Sequence, residues 1–174
     1  MSILRYSILP ALLFIFVFTS CSKKKDDVTP SVNRADLIGK VWTATSIDFV
    51  LDGKAYNLPT DPSDTSTWEF KDNGSFVFKD SDGSSDSGKW ELSDKQIKVT
   101  YDGSTDVEYI SIVSLESKKL TIKSGEELDL TKKPEDYTED QRFVYELAST
   151  YFSAIKVDIS KSKKFSVQGN FTVK

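Results

Sequence analysis

The chain has 174 residues, 29% of them charged and 38% hydrophobic, with a formal net charge of −4. That acidic balance argues against a nucleic-acid partner, whose phosphates need a basic face. There is no His and a single Cys, Cys21. A Ser-His-Asp or Cys-His nucleophile system, an internal disulfide, a CxxC pair and a Cys-based zinc site are therefore excluded. Only carboxylates and Lys remain for chemistry. We expect a protein that is not an enzyme and holds no metal or cofactor.

The first stretch reads as an address. Arg5 forms a short basic region, and Ile8 to Phe18 is an almost wholly apolar run of signal-peptide type, too short to span a bilayer as a helix. It ends in Phe18-Thr19-Ser20-Cys21, which resembles the bacterial lipobox, in which the Cys is acylated and the peptide before it removed. Residues 1–20 are thus expected to be a lipoprotein signal peptide and Cys21 the lipidation site. Acyl chains at about 0.8 kcal/mol per buried CH2 anchor a protein to a membrane without a transmembrane helix. Residues 21–34 are charged and contain Pro, as a flexible tether would. Lys25-Asp26-Asp27 resembles the signal after the acylated Cys of surface-exported lipoproteins, and Ser22 after that Cys fits the outer membrane. The resemblance implies an outer-membrane location, on the periplasmic face or the cell surface.

From residue 35 to 174 the pattern is that of one β-domain. Trp42 to about Asp52 alternates as a long strand. Asp52-Gly53 is a hairpin turn, since Gly accepts the positive φ such turns need. Lys54 to Leu58 returns, and the Pro-rich, polar stretch Pro59 to Ser66 is a loop. Thr67 to Lys71, the turn Asp72-Asn73-Gly74 and Ser75 to Lys79 form the clearest hairpin. Asp80 to Ser87 is a second polar loop. Strands follow over Gly88 to Leu92 and Gln96 to Tyr101, with turns at Ser93-Asp94-Lys95 and Asp102-Gly103. Val107 to Leu115 is apolar on both faces, which predicts a cover on the outside of the sheet. Leu120 and Ile122 mark a strand, and Leu128 and Leu130 a further one.

The composition then changes. Thr138-Glu139-Asp140-Gln141 carries the capping-box pattern. Phe143, Val144, Leu147, Ala148, Tyr151, Phe152 and Ile155 recur at helical spacing, so one amphipathic helix of about four turns is expected. Phe165, Val167, Phe171 and Val173 alternate in a last strand, with Gly169 as a bulge. The fold class is all-β with one helix: an up-and-down antiparallel β-barrel of about eight strands, then a C-terminal helix and a final strand.

Three segments carry a likeness to a known family: Leu37-Ile38-Gly39-Lys40-Val41-Trp42, then Trp68-Glu69-Phe70 with Asp72-Asn73-Gly74, then Gly88-Lys89-Trp90. Together with the element order, they resemble the lipocalin-like (calycin-type) domains of Bacteroidota lipoproteins. The family pattern is Gly-x-Trp, whereas two residues separate Gly39 from Trp42 here. The resemblance implies a lipocalin-like barrel with a helix against its wall, and an Arg lying over the opening Trp. Arg34 or Arg142 is expected to stack on Trp42.

Trp42, Trp68, Phe70, Phe76, Phe78, Trp90, Tyr101 and Tyr109 are the residues expected inside the barrel, as core or as the lining of a ligand pocket. An eight-stranded barrel is at the size where side chains either fill it or leave room for one small ligand. The acidic loop Asp80 to Asp86 has oxygen groups at alternate positions, but it fails the calcium-loop pattern, with Lys89 where a Glu would close the site. Two functions are weighed. One is a membrane-anchored, non-catalytic module that binds a small hydrophobic ligand. The other is an interaction lipoprotein with a filled barrel, acting through its loops in an envelope or glycan-handling complex.

Overall fold

The computed structural model describes residues 32–61, 63 and 66–173. The signal peptide, Cys21 and most of the tether lie outside them. Within residues 32–173 there is one short helical turn, α1 (Arg34–Leu37), then β1 (Val41–Leu51), β2 (Lys54–Pro59), β3 (Thr67–Phe70), β4 (Ser75–Lys79) and β5 (Ser85–Ser93). β6 (Gln96–Tyr101), β7 (Glu108–Leu115), β8 (Lys119–Ser124) and β9 (Leu128–Asp129) follow, then α2 (Glu139–Ala154) and β10 (Lys164–Val173).

Every strand pairs antiparallel with its neighbours in the order β1-β3-β4-β5-β6-β7-β8-β10, and β10 pairs back onto β1. Closure leaves eight strands and no free edge in the ring. The turns follow the local chemistry: Asp52 and Gly53 both have positive φ, as do Asp94, Gly74 and Gly103.

β1 and β10 are longer than their neighbours, and that length organises the molecule. The lower part of β1 pairs with β3 (Val41 to Thr43), and the upper part with β2 (Ser46 to Leu51). β10 likewise pairs with β8 through Gln168 to Thr172 and with β9 through Lys164 and Phe165. The β1–β10 ribbon thus rises past the barrel and, with β2 and β9, makes a four-stranded extension. The switch from β3 to β2 falls at a register shift between Ala44 and Ser46 of β1. The bulge is there, whereas Gly169 pairs regularly with Ile47. Gly169 is needed for another reason: a Cβ would lie 2.9 Å from the Phe171 ring.

Two cores result. The lower one holds Leu37, Trp42, Trp68, Phe70, Phe76, Trp90, Ile97, Val99, Ile110, Ile112, Leu120, Ile122 and Phe171 inside the barrel. The upper one holds Phe49, Leu51, Leu128, Tyr137, Ala148, Phe152 and Phe165, where α2 packs on the extension. β10 has no register shift of its own, so Phe165, Val167, Gly169 and Phe171 share one face. Phe171 faces the barrel interior, so α2 lies on the inward-facing side of the extension and not on the outer wall. Both cores lie inside the compact unit Ser31–Lys174. A chain starting at Ser31 keeps every residue of both cores and every strand of the ring.

α2 begins as expected. The Thr138 hydroxyl accepts from the Gln141 N–H, and the Gln141 side chain accepts from the Thr138 N–H. No helix among the described residues is long and apolar enough to cross a membrane.

Other expectations need correction. The second polar loop is shorter, because Ser85, Asp86 and Ser87 already pair with β4. β7 carries no outer cover among the described residues: Val107, Tyr109 and Val113 stand exposed. Tyr109 is 53% exposed and does not belong to the interior. Along β7 the pleat turns Glu108, Ile110 and Ile112 inward, and Tyr109 falls on the other face.

Candidate functional site

The end of the barrel at which β1 starts is sealed. Trp42, Phe70, Phe76 and Trp90 are all buried. The rings of Phe70, Phe76 and Trp90 form a continuous cluster with Trp68: Phe70 lies 5.0 Å from Trp90 and 5.7 Å from Trp68, and Phe76 lies 5.5 Å from Trp68. These centroid separations are ordinary aromatic packing. Gly88 makes part of that packing possible, since a Cβ there would lie 2.8 Å from the Phe76 ring and 2.1 Å from the Thr100 carbonyl oxygen.

α1 plugs this end from below. The Trp42 indole N–H donates to the Leu37 carbonyl (3.0 Å), and the Trp90 indole N–H donates to the Lys71 carbonyl (3.0 Å). Arg34 does cover an indole, but it is that of Trp90, 4.3 Å from the ring centroid, with Nη2 donating to the Asp72 carbonyl (2.8 Å). Over Trp42 lies Lys40, at 5.4 Å. The cation on the opening Trp is thus Lys40, and Arg34 lies on Trp90 instead. The reason is local: α1 turns back toward the β3–β4 turn, bringing Arg34 to Asp72 and so to Trp90.

The opposite end is open. Above the ring stack the inward-facing side chains are only partly covered: Phe78, 5.1 Å from Trp68, and Tyr101, edge-on to Phe76 at 5.3 Å. Glu108 and Ser124 face inward on the same rim, by register with Val99 and Ile110. Glu108 accepts from the Tyr101 hydroxyl (3.3 Å) and from the Ser124 hydroxyl. Burial, and next the Glu108 carboxylate, push the Tyr101 phenol up to about 12, so it remains a neutral donor.

A cleft of about 390 Å³ opens between this rim and α2. Its apolar wall is Leu128, Val144 and Val167, and its polar lip is Ser124 to Glu127 with Thr138, Asp140 and Gln141. α2 crosses the extension with Phe152 edge-on to Phe165 and Tyr145 against Tyr137, both toward the far end. Residues three and four apart share a helix flank. The flank opposite those contacts carries Phe143 and Leu147, which belong neither to the upper core nor to the cleft lining. Both are exposed, Phe143 at 68%. Helical spacing alone had made them indistinguishable from core. On the sheet beneath, Ile47 and Leu58 pair with each other and are also exposed.

The eight expected interior residues therefore divide. Trp42, Phe70, Phe76 and Trp90 fill the sealed end. Trp68 packs on them, Phe78 and Tyr101 reach the mouth, and Tyr109 stands outside. Glu108, Ser124, Leu128, Val144 and Val167 are not marked as site residues by the sequence. The signal for Glu108 was its parity with Ile110 and Ile112.

In the Asp80 to Asp86 loop, Asp80 and Asp82 accept hydrogen bonds from the backbone N–H groups of Ser81 and Ser84. The Ser84 contacts hold the Asp82 carboxyl below its ordinary range. Among the described residues, no three or more His, Cys, Asp or Glu gather as a metal would require.

Residues 37–122 match the family model of a lipocalin-like domain. Neither the curated proteins nor the solved structures gave a match. The matched segment runs from α1 into β8 and so covers seven of the eight strands of the ring. It ends before α2 and β10, which build the upper core.

Proposed function

We propose that this chain is a lipid-anchored, non-catalytic module of the outer membrane that takes one small apolar or amphipathic ligand at the open end of its barrel. The observation that carries the reading is the asymmetry of the interior. One end is filled with packed rings, and the other leaves Phe78 and Tyr101 half covered beside an apolar cleft under α2. Ligand sites are concave, mostly apolar and supplied with a few fixed polar groups, and the rim and cleft meet that description. The family likeness supports a binding role for the barrel.

The anchor reading rests on the lipobox-like run before Cys21 and on where the chain enters the domain. Val32 packs partly against the lower core, at the sealed end. Cys21→Ser is expected to abolish incorporation of labelled palmitate and to release the protein from the membrane fraction. Retention of the label would refute the anchor.

For the ligand site, the segment 31–174 is titrated with a neutral apolar fluorophore such as N-phenyl-1-naphthylamine. Binding with saturable stoichiometry near one is expected. Val144→Phe, which fills the cleft, should weaken it at least tenfold. Saturable binding left untouched by Val144→Phe would put the ligand elsewhere.

A second reading has its own observation. The exposed stripe Val107, Tyr109 and Val113 on the outer wall of β7 suits contact with a protein partner in an envelope or glycan-handling complex. Tyr109→Glu should then break co-isolation of that partner while leaving fluorophore binding intact.

A further inference from the structure

We infer that the ligand of the barrel mouth carries a positively charged head, received by Glu108, on an apolar body that lies toward the cleft beside α2. This inference rests on the mouth being the binding site proposed above and adds the chemical class of what enters it.

The argument starts from what surrounds Glu108. Its carboxylate faces the barrel interior, above the buried Ile110 and beside Val99. Both neighbours that touch it are neutral hydroxyls, Tyr101 and Ser124. Among the described residues the ion pairs are Arg34–Asp72, Lys98–Glu91, Lys133–Glu135 and Lys164–Glu127, so Glu108 has no cationic partner. A carboxylate at the barrel mouth without a counter-charge favours a guest that supplies one.

The hydroxyls reinforce this. Two donors fix the carboxylate in place but leave its charge unneutralised, and each carboxylate oxygen has lone pairs to spare. The high pKa of Tyr101 keeps that donor protonated throughout the working range. Asp86 adds a second negative charge that Tyr101 senses. An anionic head would meet two carboxylates here, and like charges brought together are costly.

The aromatic floor and the cleft supply the other half. Phe78, packed on the buried Trp68, presents ring surface at the mouth, and ring faces attract cations. Ser124 joins the two parts, since its hydroxyl meets Glu108 while the residue also lines the cleft with Leu128, Val144 and Val167. A head at Glu108 therefore has an apolar wall within reach of its own tail.

The test compares three ligands with one tail: dodecylammonium, dodecanol and dodecanoate. Each is titrated below its micellar concentration into the segment 31–174 at low salt, with binding read by native mass spectrometry. The ammonium is expected to bind about tenfold tighter than the alcohol, the size of one charge-assisted hydrogen bond, and the carboxylate weakest. Glu108→Gln should bring the ammonium to the level of the alcohol, while Glu116→Gln, in the turn at the sealed end, should change nothing. Raising sodium chloride to about 0.5 M should shrink the preference in the unaltered protein by screening, a check that needs no variant. Equal affinities for the three, or the carboxylate binding best, would overturn the charged-head inference and leave the binding site standing. Binding of none would overturn both.

Discussion

The sealed end and the open end of this molecule are built on the same two strands, β1 and β10, yet they are stabilised in different ways. At the sealed end the ribbon is one wall of a closed ring, and each inward side chain meets others from strands across the barrel. Trp42, Phe70, Phe76 and Trp90 are buried there in one cluster, with Arg34 and Lys40 as caps. At the open end the ribbon is an extension with only β2 and β9 beside it, and a single helix covers one face. Phe49 and Phe165 are buried under Phe152 of α2, which also meets Tyr56 of β2. Closure gives the first region its core from many strands. The second depends on one element joined by loops, and it is the second that borders the apolar cleft.

That contrast can be broken experimentally, and all three Trp residues of the chain, Trp42, Trp68 and Trp90, lie in the barrel, so their fluorescence reports the barrel alone. Phe152→Ala should have the largest effect, a loss of about 3–5 kcal/mol in the upper core. Helical circular dichroism should then disappear at lower denaturant than the tryptophan signal. Coincident transitions would show that the two cores unfold as one. Gly88→Ala, in the barrel wall, should cost about 1–3 kcal/mol through overpacking against Phe76 and the Thr100 carbonyl. It should move the tryptophan transition first. Unchanged stability would mean that β5 shifts freely, contrary to a closed ring.

Arg34→Ala should remove the stacking on Trp90 and the bond to the Asp72 carbonyl, about 1 kcal/mol in all. Because α1 touches only the sealed end, fluorophore binding at the mouth should stay as it was. Alkaline titration should show a weaker effect of known sign. The folded pKa of Tyr101 is raised, from 10.0 to about 12. Its stabilising contribution is full below pH 10 and is lost as the pH rises through about 12. The unfolding midpoint should fall more steeply over that window in the unaltered protein than in Tyr101→Phe. The smallest change is expected for Phe143→Asp. The residue is exposed and does not line the cleft, so stability should stay within about 0.5 kcal/mol and affinity for the apolar fluorophore should stay as it was.

Much of the sealed end was legible in the sequence, for a physical reason. Strands alternate with period two, and turns demand residues that accept positive φ. Gly74, Gly103 and the pair Asp52-Gly53 placed the hairpins, and Trp42, Phe70, Phe76 and Trp90 declared the inner face. The upper region was less legible. Helical spacing marked Phe143, Leu147 and Phe152 alike, but only the cover beneath each one decides which is buried. Tyr109 misled in the same way, since an aromatic residue was taken as interior when the pleat turns Glu108 and Ile110 inward.

From its sequence alone this protein has its turns, the capped start of α2, the acidic balance and the aromatic character of its inner face, because those are properties of residues and their near neighbours. Three things required the chain to be folded: the length by which β1 and β10 outrun their partners, the side of the extension on which α2 lies, and the meeting of Tyr101, Glu108 and Ser124 at the rim. Each depends on pairings between residues far apart in the chain, and local chemistry does not record which distant strand a segment will meet.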